Sequence, residues 1–216
     1  MGEYMENNIM KTGTTTIGFV AKDCIVLAAD KRATAGNFIA GKKVDKVVQV
    51  TDNMALTTAG SVSDIQLIVK MIKAELSLRS LRTGRENSVN EAANLLAGIV
   101  YNSIRNYTTI PGIVHFIFAG FDSKGAHLYD IYPDGSITEI DDFVTSGSGG
   151  SFAFGVFDSQ YKVDMKESEA VDFAIKAINA SLQRDSASGD GIDIVVIDKS
   201  GVRKVFKQEL SVKIVK

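Results

Sequence analysis

A run of three threonines near the start of the sequence is the first place where side chains could do chemistry. The run is Thr14, Thr15 and Thr16, and Gly13 precedes it. β-Branched polar residues are common in edge strands, so a structural role alone would account for the threonines. Gly13, however, gives the backbone a freedom that would let the next hydroxyl reach the preceding carbonyl. The bond between Gly13 and Thr14 is therefore a candidate site of self-cleavage.

A carboxylate at the end of an apolar strand is the second candidate. Asp30 closes the run CIVLAAD, where an ionised group is costly unless a cation or several donors meet it. Lys46 is a candidate partner because it opens the next apolar run, KVVQV. Spacing alone does not exclude four rivals, which are Lys31, Arg32, Lys42 and Lys43. An ion pair that only satisfies Asp30 is the structural alternative.

Other catalytic schemes find less support in the sequence. The two histidines, His115 and His127, lie in strand patterns without metal-site spacing, so we interpret both as structural. The segment from Ser146 to Gly150 is rich in glycine but lacks the Lys-Ser/Thr pair of a phosphate loop. RDSASGDG, which ends at Gly191, is by itself typical of a turn after a helix.

Composition restricts the class of protein. The 216 residues are 45% hydrophobic and 23% charged, which predicts one domain. Because 24 basic and 26 acidic residues are mixed along the chain, no basic face indicates nucleic acid as a partner. Cys24 has no second cysteine to pair with and is interpreted as a small core residue. The sequence lacks a membrane-length apolar run, and its start lacks signal-peptide features, so we expect a cytoplasmic protein with no membrane partner.

The first half of the chain predicts four strands followed by two helices. Turns at Lys22-Asp23 and at Thr51-Asp52-Asn53 separate the apolar strand patterns. Apolar residues then recur every three or four positions, and Ser63 with Gln66 is a candidate capping box for the first helix. Gly84 interrupts this pattern. A second capping box, Ser88 with Glu91, opens the next helix.

The second half of the chain repeats this alternation. IVHFIFAGFD and AHLYDIYP predict a hairpin, and Pro133-Asp134-Gly135 marks the next reversal. The Gly/Ser-rich stretch TSGSGGSFAFG leads to a third helix through Val171 and Leu182, and GIDIVVID and VRKVF are final strands. Antiparallel hairpins interrupted by paired helices predict an α+β fold, a four-layer α/β/β/α sandwich of two antiparallel sheets.

Seven segments together resemble proteasome β subunits, the archaeal kind especially. They are GTTTIGF, AADKRAT, KVVQV, TTAGSVSD, TSGSGG, GVFDSQY and QRDSASG, in matching order and spacing. The resemblance extends from Thr14 to Val205. It implies a threonine endopeptidase with the N-terminal-nucleophile hydrolase fold, which is the same four-layer sandwich. It also implies that a leader, residues 1–13, is removed by autocleavage to leave one catalytic domain, residues 14–216.

The resemblance assigns roles position by position. Thr14 would be the nucleophile, with Asp30 and Lys46 completing the central trio. The supporting network would be Ser148, Asp185 and Ser188, and Gly60 would donate its backbone N–H to the oxyanion. The substrate pocket would be formed by Ala33, Val44, Val48, Thr58 and Val62, and its uncharged lining predicts cleavage after apolar residues. The family chemistry needs no cofactor and no metal.

Two positions depart from the family pattern. Ser63 stands where a glycine commonly precedes the aspartate Asp64, and Gly150 stands where a serine commonly follows Gly-Ser-Gly. Both lie beside expected site residues, and we expect small changes of shape rather than a loss of activity.

The partners implied by the resemblance are those of a barrel-shaped particle. Two heptameric β rings would lie between two heptameric α rings, and a regulatory ATPase would feed unfolded proteins through the α ring. One alternative is a non-catalytic structural β subunit of the same particle, which retention of Gly13, Thr14, Asp30 and Lys46 argues against. The other is an N-terminal-nucleophile amidohydrolase for small amides, which would need a pocket of convergent polar groups.

Overall fold

The computed structural model describes residues 13–106 and 112–210, and these ranges contain twelve strands and four helices. The strands are β1 (Thr16–Val20), β2 (Ile25–Asp30), β3 (Ala33–Ala35), β4 (Phe38–Gly41), β5 (Val47–Thr51), β6 (Met54–Gly60), β7 (Val114–Asp122), β8 (Gly125–Ile131), β9 (Ile137–Ile140), β10 (Phe143–Ser146), β11 (Gly191–Asp198) and β12 (Gly201–Glu209). The helices are α1 (Val62–Thr83), α2 (Val89–Arg105), α3 (Gly150–Gln160) and α4 (Glu167–Leu182).

The first sheet carries the threonine run. Its strand order is β10-β1-β2-β11-β12, and every pair is antiparallel. Thr16 on β1 lies opposite Ala29 on one side and opposite Ser146 on the other. All six residues of β2 are buried, as expected for a continuously apolar strand that is covered on both faces.

The second sheet has the order β5-β6-β7-β8-β9 and is also antiparallel throughout. The β3-β4 hairpin comes between β2 and β5 in the sequence. Within the described residues, its two strands pair with each other and with neither large sheet.

Three apolar clusters separate the layers and confirm the predicted four-layer sandwich. One cluster packs α3 and α4 on the first sheet, through residues such as Phe19, Phe157 and Phe173. A second packs α1 and α2 on the other sheet, for example through Ile72 and Phe118. The third fills the space between the two sheets. Each sheet therefore buries both faces, which explains its high content of aliphatic side chains.

One contact fixes how closely the two sheets approach. Gly18 on β1 faces Ile117 on β7, and an added Cβ at Gly18 would lie 2.6 Å from Ile117 Cγ2. Real Cβ atoms essentially never come this close, so glycine is required here for space. The two sheets can thus approach this closely because Gly18 has a hydrogen where other residues have a Cβ.

The helix ends confirm one predicted cap and contradict the other. Ser88 caps α2 in a complete capping box with Glu91, as its sequence predicts. The capping box predicted for Ser63 is wrong because α1 begins earlier, after Ser61, and Ser63 lies in its first turn. Gly84 ends α1 in the left-handed conformation, with φ 66°. None of the helices within the described ranges has the length and apolar character needed to cross a membrane.

No strand was predicted from the sequence for β3, β4, β9 or β10, and no helix for α3. The β3-β4 hairpin turns at Gly36-Asn37, a two-residue signal that is visible in the sequence. Helix α3 begins within the Gly/Ser-rich stretch, where poor helix propensity conceals it. Its buried face is formed by Ala153 and Phe157, spaced four residues apart.

Candidate active site

Thr14 lies two residues before the start of β1 and is 6% exposed. Its nitrogen is the amide of the bond to Gly13, and it lies 3.3 Å from Ser148 Oγ, to which it donates. The preceding Gly13 N–H donates to Thr34 Oγ1 on β3 at 2.9 Å. The junction is therefore held on both sides by side-chain hydroxyls.

Gly13 has a steric reason to be glycine. A Cβ built on Gly13 would lie 1.8 Å from the Ala187 Cβ and 3.1 Å from Ser148 Oγ. The sequence suggested backbone freedom as the reason for this glycine. The structure adds a close approach to the loop after α4, which the sequence alone did not indicate.

Asp30 and Lys46 form a buried ion pair beside the threonine run. Lys46 Nζ lies 2.6 Å from Asp30 Oδ1, and the two side chains are 5% and 0% exposed. The same Oδ1 accepts the Thr15 N–H at 2.9 Å. The other oxygen, Oδ2, accepts the backbone N–H groups of Arg32 and Gly189 at 3.0 and 2.9 Å. Both carboxylate oxygens of Asp30 thus have hydrogen-bond donors, and the carboxylate holds Lys46 next to Thr15.

The four rival cations lie elsewhere. Lys31 is fully buried and binds Asp193 and Asp45 at 2.6 and 2.7 Å. The remaining three differ in their partners: the Arg32 side chain binds Asp190, Lys43 binds Glu209, and Lys42 is exposed. The side-chain cation that pairs with Asp30 is Lys46, as the family resemblance implied.

Burial changes the acid-base behaviour of Lys46. Loss of hydration lowers the pKa of its ammonium group, although the nearby charge of Asp30 and their hydrogen bond act in the opposite direction. A lysine with a lowered pKa releases its proton more readily than an exposed one. Burial therefore favours the neutral amine of Lys46 more than exposure to water would.

A second polar chain approaches Thr14 and Thr15 from the loop after α4. Asp185 Oδ2 accepts from Ser148 Oγ at 2.7 Å and from Ser188 Oγ at 2.6 Å. Ser188 Oγ also lies 2.7 Å from Thr15 Oγ1. The structure thus brings Ser148, Asp185 and Ser188 together, and the outer hydroxyls contact the backbone of Thr14 and the side chain of Thr15.

The turn between β10 and α3 encloses the Thr14 carbonyl. Gly147 has φ +86°, and an added Cβ there would lie 2.1 Å from Thr14 O. The Gly149 N–H donates to the same oxygen at 3.2 Å. Only glycine combines this backbone conformation with so close an approach, which explains part of the Gly-Ser-Gly sequence.

Comparison with known proteins identifies the family of this chain. The family model described as "Proteasome subunit" matches residues 10–197. The chain belongs to the proteasome subunit family. A protein named proteasome subunit beta from Ferroglobus placidus is 43% identical over 198 residues, covering 92% of each chain. Proteins of the same name from Archaeoglobus fulgidus and Methanopyrus kandleri are 41% and 38% identical, over 95% and 92% of this chain and 94% and 93% of their own. The resemblance to proteasome β subunits is confirmed.

The pocket positions expected of a proteasome subunit do not all share one environment. Ala33 and Val44 both lie near Gly41, since a Cβ built there would be 3.7 Å from Ala33 Cβ and 3.2 Å from Val44 Cγ2. Thr58 donates its N–H to the Lys46 carbonyl at 2.9 Å. Val62, at the start of α1, is 51% exposed. Val48 packs against the apolar cluster beneath α1 and α2. Ala33, Val44 and Thr58 thus lie close to the segment that carries Lys46, while the Val48 side chain contacts the core.

Gly60 ends β6, two residues after Thr58, and has φ +117°. The two departures from the family pattern, Ser63 and Gly150, lie in the first turns of α1 and α3. The Ser63 hydroxyl contacts Ser61 and Asp64 in the first turn of α1. Gly150 opens α3, where an added Cβ would lie 2.9 Å from Thr145 Oγ1.

Three site contacts had no signal in the sequence. Thr34, Ala187 and the Thr15 hydroxyl contact the junction or its support, yet each depends on how distant segments meet. Cys24, by contrast, lies in the core beneath α4 as expected, and burial raises the pKa of its thiol to about 11. It therefore remains a thiol at neutral pH and takes no part in this site.

Proposed function

We propose that this chain is a threonine endopeptidase subunit that cuts its own leader between Gly13 and Thr14. The observation that carries the proposal is the convergence on Asp30 Oδ1, which accepts both Lys46 Nζ at 2.6 Å and Thr15 N–H at 2.9 Å. This convergence fixes a buried lysine beside the residue that would become the new N-terminus.

Thr14 Oγ is the attacking atom in this proposal. A threonine hydroxyl is a weak nucleophile at neutral pH, so a base must accept its proton as it attacks a carbonyl. Two bases are available in the mature chain, the Thr14 α-amine with a reference pKa of about 7.7–8.0 and Lys46 with its lowered pKa. The β-branch of threonine restricts χ1 and keeps Oγ in one direction.

The serine-aspartate network orients the amine. Ser148 Oγ contacts the Thr14 nitrogen at 3.3 Å and donates to Asp185. A free amine at the same place would meet a hydroxyl that is fixed by a carboxylate. The charge of Asp185 and that of Lys46 would then set which group holds the proton.

The peptide step proceeds through an acyl-ester. Attack by Oγ gives a tetrahedral oxyanion, which the Gly60 N–H would stabilise, an interaction worth about 3–4 kcal/mol in other enzymes. The C–N bond then breaks, the leaving amine takes a proton, and the acyl group remains as an ester on Thr14. Water hydrolyses this ester and restores the hydroxyl.

Leader removal would use the same hydroxyl within the precursor. Thr14 Oγ would attack the Gly13 carbonyl, and the acyl group would pass from nitrogen to oxygen. Hydrolysis of this ester releases residues 1–13 and leaves the amine on Thr14. The hydrogen bonds to Thr34 and Ser148 hold the two residues of this bond in place.

The substrates proposed are unfolded proteins, cut after apolar residues. Ala33, Val44, Val48, Thr58 and Val62 would line the pocket, and none of them is charged. The chain would act within a particle of heptameric β and α rings in the cytoplasm, where a regulatory ATPase supplies substrate through the α ring.

Two other functions predict different outcomes. A structural β subunit would keep its leader and show no peptidase activity. An amidohydrolase for small amides would lose its leader but leave peptides intact. Retention of Thr14, Asp30 and Lys46 in one connected site favours the endopeptidase over the structural subunit.

The deciding experiment compares the wild-type chain with Thr14→Ala, each co-expressed with an α subunit. Mass spectrometry follows the loss of residues 1–13, and a fluorogenic peptide with an apolar residue before the cut follows activity. We expect both reactions in the wild type and neither in Thr14→Ala. Leader removal in the variant would refute Thr14 as the nucleophile. A peptide boronate should add to Thr14 Oγ, and attachment at another residue would contradict the mechanism.

A further inference from the structure

A hydrogen-bonded chain of three polar side chains lies between the two sheets, near the threonine junction. Ser146 Oγ on β10 is 2.7 Å from His115 Nδ1 on β7, and His115 Nε2 is 2.5 Å from Asp130 Oδ1 on β8. Ser146 and Asp130 are 5% and 3% exposed. The ring of His115 also stacks on Tyr132, with centroids 4.8 Å apart. The function proposed above uses none of these side chains.

The chemistry of the three groups determines which atom donates in each hydrogen bond. An ionised carboxylate only accepts, so Nε2 of His115 carries the hydrogen that Asp130 receives. In a neutral imidazole the other nitrogen is then an acceptor, and the Ser146 hydroxyl donates to Nδ1. Ser146 thus donates to His115, and His115 donates to Asp130. Such a network favours a single arrangement of the strands that carry it.

Ser146, at one end of these hydrogen bonds, lies at the turn that encloses the Thr14 carbonyl. Ser146 is opposite Thr16 in the strand register and is followed by Gly147, which packs against the Thr14 carbonyl. β10 is an edge strand of four residues and pairs only with β1 in the first sheet. The bond to His115 therefore gives the last residue of this short strand a second anchor.

His115 lies beside β6, the strand that ends at Gly60. His115 is opposite Ala59, and the neighbouring register pair joins Val114 to Gly60. A single side chain thus connects the turn around Thr14, in the first sheet, with the end of β6, in the second sheet. The nucleophile and the proposed oxyanion donor belong to these two parts.

We infer that His115 is a positioning residue, which ties the Ser146–Gly147 turn to the second sheet and so fixes Thr14 relative to Gly60. This inference rests on the proposed endopeptidase function. The contact would affect how well Oγ and the oxyanion donor meet the same carbonyl, while apolar substrate pockets would remain unchanged. Its loss should therefore lower kcat more than it raises KM.

Three variants test this role in particles assembled with α subunits. His115→Phe keeps a ring that can stack on Tyr132 but removes both hydrogen bonds. Ser146→Ala removes one bond and leaves His115 intact. His115→Gln is the conservative variant, because its amide can donate to Asp130 and accept from Ser146. For each variant we would measure kcat, KM and the temperature of thermal unfolding.

We expect Ser146→Ala to lower kcat by about 3- to 10-fold, the usual effect of one neutral hydrogen bond, with KM within about 2-fold. His115→Phe, which removes two hydrogen bonds, should lower kcat at least as much. The kcat of the double variant His115→Phe/Ser146→Ala should be no lower than that of the more affected single variant, and His115→Gln should retain wild-type kcat. If His115→Phe fails to assemble, Ser146→Ala decides. Wild-type kcat in Ser146→Ala would overturn the inference, as would losses of kcat that merely follow lower unfolding temperatures. A wild-type particle without peptidase activity would instead refute the proposed function.

Discussion

Asp30 and Lys46 form their ion pair across the two sheets. Asp30 is the last residue of β2 in the first sheet, and Lys46 directly precedes β5 in the second, with Nζ 2.6 Å from Oδ1. Both side chains are almost fully buried, so neither charge has water as an alternative partner. Breaking such a pair by removing one partner leaves an uncompensated charge, a cost of about 3–5 kcal/mol.

Lys46→Ala should lower peptide turnover by about 100-fold or more, because it removes the buried amine that would take part in deprotonating Thr14 Oγ. Lys43→Ala is the matched control, since Lys43 is exposed and pairs with Glu209 instead. Initial rates on a fluorogenic peptide, with native particle size verified by gel filtration, provide the measurement. Equal rates in the two variants would mean that Lys46 has no special role.

Lys46→Arg separates proton transfer from simple positive charge. Burial lowers the pKa of Lys46, so it becomes neutral at lower pH than an exposed lysine, and turnover should fall as pH drops through that pKa. An arginine stays protonated throughout, so Lys46→Arg should be inactive from about pH 6 to about pH 9 even when folded. Substantial turnover in this variant would show that charge alone suffices.

Gly13→Ala should slow leader removal by about 100-fold, since the new methyl group would displace the scissile bond. Its Cβ would lie 1.8 Å from the Ala187 Cβ. Removing that second methyl group in Gly13→Ala/Ala187→Gly should restore much of the rate, while Ala187→Gly alone serves as the control. Mass spectrometry during assembly gives the rates. An unimpaired Gly13→Ala would rule out steric fit as the reason for this glycine.

Ser88→Ala should destabilise the chain by about 1 kcal/mol through loss of the α2 cap, which corresponds to a fall of about 2–4 °C in Tm. The control is Ser63→Ala, because Ser63 lies inside α1 and caps nothing. Thermal unfolding followed by circular dichroism compares the two. A larger loss in Ser63→Ala would contradict the observed start of α1.

The sequence predicted those features that depend on neighbouring residues. The capping box of Ser88 and Glu91 lies within one turn, and it was recognised correctly. The cap at Ser63 was misplaced because α1 begins after Ser61, whose backbone N–H donates to the carbonyl of Ile113, the residue before β7. That contact joins distant parts of the chain, so local pattern does not reveal it.

The candidate site was predictable to a different degree. Spacing identified Asp30 as a carboxylate in need of a partner, but it left five cations open, and only the family resemblance selected Lys46. Contacts of Thr34 and Ala187 with Gly13 were not predicted at all. Each requires segments separated by many residues to meet at a defined distance, which composition and periodicity do not encode.

The contact of Gly18 with Ile117 has a consequence for engineering this protein. Thr14 precedes a strand of one sheet, whereas Lys46 precedes a strand of the other sheet and Gly60 ends one. The thickness of the layer between the sheets is therefore itself a dimension of the site. A methyl group added at Gly18 would press on Ile117 and force the two sheets to shift, although Gly18 is not one of the pocket residues. Directed evolution of specificity or temperature range should therefore include the residues that fill this layer, in addition to those that line the pocket.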